Sequence, residues 1–455
     1  MSKNLQSLTT DLESALREIP ILDAHTHLTA GRLGACGLHD ILLYHMIVSD
    51  LYAAGCPSGA RLTEFPGWPT KEEAHARLQE ALPHLKQIRN TSGFWGVRII
   101  LRDLYGWKDP ITADNWRKLD GLIRERAADR RWHREIVRRA GVVQSTTELS
   151  RREGGVDDDL FDYSMEWAFF TRVQRGEFDT ALYELERCWG REPATPIPHG
   201  ANGRPATERT IRALDDIQAS LAHYVGQLAA APVLSLATHI STDIVFRPVT
   251  DAEMSAALAR RPTAGPEERD VYASYVQEAF LSALEPHADR IAFQFSFGAE
   301  PLPHETSSLV PQRSIAHLAD MAARHPKVRF VCFVSSRHAN QSLCTLCREL
   351  PNLSLAGYWW HNFFPGAIRQ VMEERLDMLP ANRNVGFFSD AYSVEWTYAK
   401  AELVRLQMAQ VLAQKIIQGQ YSRDEALAIA RAIVFETAQS LLGMRGGHAT
   451  KQRKK

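Results

Sequence analysis

Two histidines separated by one residue, His25 and His27 in the stretch PILDAHTHL at 20–28, form an arrangement that can hold a metal ion. In an extended backbone successive side chains point to opposite faces, so Asp23, His25 and His27 project together while Ala24 and Thr26 turn away. Two imidazoles converging at the C-terminal end of a strand suit one divalent cation, with nitrogen–metal bonds of about 2.0–2.1 Å for zinc. A pair of hydrogen-bonded histidines in a half-buried strand has the same spacing, so the rest of the chain has to separate the two. Asp23, lying deeper, is expected to accept a hydrogen bond from one imidazole and so fix its orientation.

The elements that would position these side chains recur along the chain. Short apolar runs bounded by turn residues occur at 20–28, 140–148, 231–241, 290–300, 327–337, 352–360 and 384–390, with DYSMEWAFF at 162–170 as an eighth candidate, and most are followed by a helical stretch. Near-continuous apolar strands alternating with helices indicate a parallel sheet covered by helices, and about eight of them favour a closed (β/α)8, TIM-like barrel. In such a barrel the chemistry sits at the C-terminal ends of the strands. The polar residues of this chain collect there: His25 and His27 end the first run, His239 ends VLSLATHIS, and Ser296 comes late in FQFSFGA. Arg337 and His338 follow VCFVSS, His361 and Asn362 follow GYWW, and Asp390 ends GFFSD.

Four parts are expected. Residues 1–28 give an amphipathic N-terminal helix and the first barrel strand. Residues 29–139, too long for an ordinary strand-to-helix loop, read as a helical insertion covering the barrel mouth, with helical stretches at 71–89 and 113–140. Residues 140–445 complete the metal-dependent barrel, a Pro- and Gly-rich loop at 191–210 lying over the same end, and 446–455 is a basic disordered tail.

The chain has 455 residues, 45% hydrophobic, with 53 basic against 54 acidic residues and a net charge of -1. That balance excludes nucleic-acid or membrane-surface binding driven by bulk charge and suits a small neutral or anionic metabolite. No apolar run approaches the ~18 residues of a membrane span and the opening segment lacks a signal-peptide core, so a cytoplasmic location is expected. The six cysteines are too scattered for a disulfide framework, and Cys344 and Cys347 read as buried thiols on one apolar helix face. A homo-oligomer is compatible with all of this.

Several stretches resemble the uronate isomerase branch of the amidohydrolase superfamily. They are PILDAHTHL after an N-terminal helix, LYAAGCPSG at 51–59, the run from NTSGFWGVRIILRDLYG to GVVQSTTE, GYWWHNFFPG, and NVGFFSDAYSVEWTYAK at 384–400. The resemblance implies one divalent metal held by His25, His27 and Asp390, with Asp390 also handling protons and His239 matching a fourth-strand histidine. It implies a pocket wall of Trp359, Trp360 and Asn362, and a role in glucuronate catabolism. Departures are local: Tyr392 stands where the family has an arginine, Ser296 where it has a histidine, and Met46, with Tyr44 and Tyr52 nearby, close to a family tyrosine. Tyr392 is expected to donate a hydrogen bond to substrate and Arg337 to pair with its carboxylate, while Ser296, His361 and Tyr52 line the site. A helix N-cap, for a helix starting near Val394, is the alternative role for Asp390.

Two chemistries follow. Aldose–ketose isomerisation of a hexuronate (glucuronate or galacturonate) or a related sugar acid needs a base at C2, an acid at C1 and an electropositive group holding the oxygens between them. A hydrolase acting on an ester, lactone or amide needs only a metal-acidified water and Asp390 as general base. A third reading keeps the barrel as a metal-free sugar-acid sensor. Zinc is the first expectation for the ion, with manganese, iron and nickel accepting the same donors.

Overall fold

The computed structural model describes residues 3–57, 69–152, 159–166, 182–183, 185–186, 189, 209–240, 246–297, 310–334, 336–358 and 364–446. Within these lies one eight-stranded sheet in chain order: β1 (Ile21–Asp23), β2 (Val142–Glu148), β3 (Phe161–Glu166), β4 (Ser235–Ile240), β5 (Ala292–Phe297), β6 (Phe330–Val334), β7 (Leu353–Ala356) and β8 (Asn384–Val385). Every neighbouring pair is parallel. Both faces of such a sheet are covered, which is why FVCFV of β6 is buried at all five positions. The weakest of the eight runs supplies β3, and residues 167–170 of that run fall outside the described residues.

The sheet curls until its first and last strands meet, as in a TIM-like barrel. Ala24 N–H donates to the Phe387 carbonyl at 3.3 Å, Asp390 N–H to the His25 carbonyl at 3.0 Å, and His27 N–H to the Ala391 carbonyl at 3.0 Å. These bonds lie beyond the regular strands, and this corrects the sequence reading. β1 ends at Asp23, so His25 and His27 follow the strand instead of closing it. β8 is cut to two residues because Gly386 N–H donates to the Ile433 carbonyl at 2.8 Å, drawing the chain out of the ladder before it returns to the first strand.

Asp23 occupies this seam. Its carboxylate is fully buried and accepts from Ser389 N–H and Ser389 Oγ, each at 2.6 Å. It does not reach an imidazole, against expectation; it ties the first strand to the last, taking the Ser389 amide that a regular ladder would pair with backbone.

Helices 38–42, 45–53, 71–81, 92–105, 116–126 and 130–140 lie between β1 and β2, and the N-terminal helix Lys3–Arg17 precedes them. The long helix Val394–Ile417 is buried along most of its length and gathers these pieces. Arg17 pairs both its terminal nitrogens with Glu402 at 2.6 Å, and Glu395 accepts from Ala35 N–H at 3.0 Å and from Tyr105 Oη at 2.8 Å. Cys344 and Cys347, on the helix Arg337–Glu349, are core thiols as expected. Among the described residues no helix is long and apolar enough to cross a membrane.

Gly357 follows β7 with φ of +51°, and a Cβ there would sit 1.8 Å from the Phe388 ring. Gly419 has φ of +75° with open space around it. Left-handed backbone costs an L-residue about 1–2 kcal/mol, and a clash in a packed core adds about 1–3. Gly357→Ala should therefore lower unfolding stability by about 3 kcal/mol and Gly419→Ala by only about 1, both read from urea midpoints.

Candidate metal centre

The seam places His25, His27 and Asp390 together. His27 Nε2 lies 3.0 Å and His25 Nε2 3.7 Å from the same oxygen, Asp390 Oδ1, and the two rings stand nearly perpendicular with centroids 4.9 Å apart. An ion bound tetrahedrally at about 2.0–2.1 Å separates its ligand atoms by about 3.3 Å, a spacing these two distances bracket. Among the described residues this is the group of three whose donor atoms, all within 4.8 Å of one another, fit one metal ion. The donor set, two imidazoles and a carboxylate, leaves a further position for substrate or water.

Local structure explains the convergence. Past β1 the backbone alternates: Ala24, Thr26 and Leu28 are buried and the two histidines are partly exposed. Asp390 is the one described non-glycine residue with positive φ, 49°. The helix after it starts at Val394 as expected, but its N-cap is Ser393, so the capping role for Asp390 is excluded.

Aromatic rings wall the centre. Tyr392 stacks on His27 at 4.6 Å with a 15° tilt, and Phe333 and Phe388 stand 5.8 and 6.3 Å from His25. Tyr44 and His45 reach in from the helices between β1 and β2; the Tyr44 hydroxyl donates to the Asp390 carbonyl at 2.6 Å, and His45 lies 6.0 Å from Tyr392. Burial pushes His45 down to about 3, so it is a neutral imidazole at working pH.

The charges are divided unequally. Burial, then the neighbouring His27, pushes His25 down to about 4. Burial also opposes charge on His27, yet the carboxylates of Asp390 and Glu148 hold it up at about 9. Burial would raise the Asp390 carboxyl, but His27 holds it well below the ordinary carboxylate range. The metal-free centre thus keeps one proton on His27, between two carboxylates.

Glu148, at the end of β2, takes the orienting place expected of Asp23. Its Oε1 lies 3.5 Å from His27 Nδ1, an ion-pair distance, and its Oε2 accepts from Arg151 Nε at 2.9 Å. Arg151 also donates to the His27 carbonyl at 3.3 Å and stands 5.8 Å over the Tyr392 ring. Glu148, Arg151 and His45 were missed from the sequence; the strand-end position of Glu148 in VVQSTTE was the available signal.

The other expected residues are placed as follows. Ser296 of β5 is in register with His239 of β4, and its hydroxyl lies 3.5 Å from the Thr238 carbonyl. Arg337 and His338 open the helix after β6, both exposed. Tyr52 is 46% exposed on the helix His45–Ala53. The His239 side chain and Trp359, Trp360, His361 and Asn362 lie outside the described residues.

No family model matches the sequence, and no curated protein does. Solved structures do. The uronate isomerase of Thermotoga maritima superposes with a TM-score of 0.76 at 12% identity, over 96% of this chain and 97% of that one. The glucuronate isomerase of Caulobacter crescentus gives 0.77 at 14%, over 98% and 95%. The chain has the uronate isomerase fold. A candidate metal-dependent hydrolase from Lactobacillus casei is similar at a TM-score of 0.57 and 14% identity, over 95% and 97%. At such identities the uronate isomerase likeness is one of architecture.

A divalent ion must displace the proton on His27 to bind Nε2. Because that proton is held up to about pH 9, zinc affinity should fall about tenfold per pH unit as pH drops below 9. Calorimetric titration at pH 7 in two buffers of different ionisation enthalpy should show about one proton released per zinc bound.

Proposed function

We propose that this chain is a metal-dependent enzyme of the uronate isomerase type, interconverting the aldose and ketose forms of a hexuronate such as glucuronate or galacturonate, or of a related sugar acid. The observation that carries this is the convergence of His25 Nε2 and His27 Nε2 on Asp390 Oδ1, within a fold shared with solved uronate isomerases. One divalent ion held there, zinc first with manganese, iron and nickel as alternatives, would polarise the substrate's hydroxyl and carbonyl oxygens.

The chain's own residues supply the rest. Asp390 is the carboxylate placed to take a proton from carbon or oxygen. Tyr392 is pushed up, by burial and then by the Asp390 charge, so it stays a phenol that donates a hydrogen bond and can return a proton at the neighbouring carbon. The proton leaves C2 and another arrives at C1, so no water is consumed. A sugar acid also carries a carboxylate. The cation that the resemblance puts at position 392 would be supplied by Arg151, a reading supported by its guanidinium standing over the Tyr392 ring.

Trp359, Trp360, His361, Asn362, Arg337, Ser296 and Tyr52 complete our proposed pocket, with His239 as a further ligand. The helices between β1 and β2 would act as its cover, a role supported by the Tyr44 bond to Asp390. The reaction would serve carbohydrate catabolism in the cytoplasm.

Hydrolysis of an ester, lactone or amide is the second reading, favoured by Tyr392 standing in the arginine position: it needs Asp390 as general base and no grip on a sugar carboxylate. Elemental analysis should find one divalent metal per chain, and proton NMR should follow glucuronate or galacturonate losing its aldehyde signal to a ketose. Bound metal with both hexuronates unchanged and a lactone hydrolysed would transfer the assignment to the hydrolase. Asp390→Asn should abolish turnover, and Arg151→Gln should raise KM for the hexuronate about tenfold to a hundredfold, the worth of a lost charge-assisted hydrogen bond.

A further inference from the structure

We propose that Lys400 and Tyr44 form a clamp that holds Asp390 in its left-handed backbone conformation and so aims its carboxylate at the metal; they are positioning residues, and the inference rests on the metal reading above. A φ of 49° lies in the left-handed region that residues carrying a Cβ seldom adopt, and it persists where the surroundings over-determine it. Here they do so from both sides. Two peptide planes flank the Asp390 Cα, and together their orientations fix φ and ψ and hence the direction of Cβ.

The first plane, between Ser389 and Asp390, is held by Lys400 Nζ donating to the Ser389 carbonyl and by Asp390 N–H donating to the His25 carbonyl at 3.0 Å. The second, between Asp390 and Ala391, is held at its carbonyl by Tyr44 Oη at 2.6 Å and Lys400 Nζ at 3.2 Å. Lys400 also donates to Tyr44 Oη at 2.9 Å. The three hydrogens of the ammonium therefore match the Ser389 carbonyl, the Asp390 carbonyl and the Tyr44 hydroxyl. A simple tether between helix and strand would need one of these bonds, whereas gripping two successive carbonyls around a single Cα sets that residue's torsions.

Burial supports the same conclusion. Lys400 is 1% exposed and Tyr44 2% exposed, and a buried ammonium has to be received by partners that replace its water. The charge faces the carbonyl ends of two peptide dipoles at the one left-handed metal ligand, with the carboxylates of Asp390 and Asp23 also acting on it. Lys400 comes from the long helix Val394–Ile417 and Tyr44 from the segment between β1 and β2, so the carboxylate is set only when both have docked.

Tyr44→Phe and Lys400→Met in the full chain test this, with zinc affinity measured by chelator competition and metal-free thermal unfolding measured separately. Each variant should lose zinc affinity by about 10–100-fold, as expected for residues that orient a metal ligand. The double variant should lose less than the product of the two, because the residues share one carbonyl and one mutual bond. Cobalt bound in place of zinc should show altered visible bands in both. If Lys400→Met does not fold, Tyr44→Phe, which keeps the ring, decides. Zinc affinity within twofold of wild type in a folded variant, whatever its thermal midpoint, overturns the clamp. A wild-type chain that binds no zinc, manganese, iron or nickel overturns the metal reading itself, and the clamp with it.

Discussion

Everything at the candidate centre depends on the seam where the curled sheet meets itself. Thr26 Oγ1 donates to the carbonyl of Ala391, 365 residues further along the chain, and the backbone bonds on either side of it bring the histidines and the aspartate to one point. A parallel sheet has no hairpins to bring its ends together, so the seam has to be closed by contacts between residues far apart in the chain. The seam is also irregular. Asp23 takes the Ser389 amide that a regular ladder would pair with backbone, and that defect lets Asp390 turn into the left-handed region instead of continuing a strand.

Two buried carboxylates flank the seam and behave oppositely. Burial pushes Asp23 up to about 7, although Ser389 donates to it twice and the Lys400 charge lies nearby. Asp390 is held low because His27 shares its environment with charge on it. What separates them is the partner: neutral donors satisfy the lone pairs of Asp23, whereas a titrating imidazole lies 3.0 Å from Asp390. Only the second arrangement holds a proton that a metal could replace; Asp23 joins the first strand to the last.

The sequence displayed the eight runs, their parallel order and the alternation that aims His25 and His27 the same way, because those follow from local periodicity. Strand lengths were not legible. β8 stops after two residues because Gly386 is captured by Ile433, a contact with the chain's C-terminal helices that no local pattern encodes. The exchange of roles between Asp23 and Glu148 was hidden for a related reason. Which carboxylate reaches His27 depends on the register of β1 against β2, where Ile21 pairs with Val142 and Asp23 with Ser145, and on a shift after Ile21. No local pattern marks Lys400, and only the packing of its helix shows it facing inward.

Read along the chain, tyrosine in place of an arginine removes a cation from the site. Read in space, the stacked His27 and Tyr392 rings leave an aromatic face, and the Arg151 guanidinium stands over it while bonded to the His27 carbonyl and to Glu148. An arginine at 392 would set its charge against His27, whose charged form the metal-free centre already favours; from the turn after β2 the same charge is partly balanced by Glu148. The field at the centre thus comes in part from the turn after β2 and not from position 392 alone. Reading position 392 alone therefore misses a guanidinium that stands beside the centre.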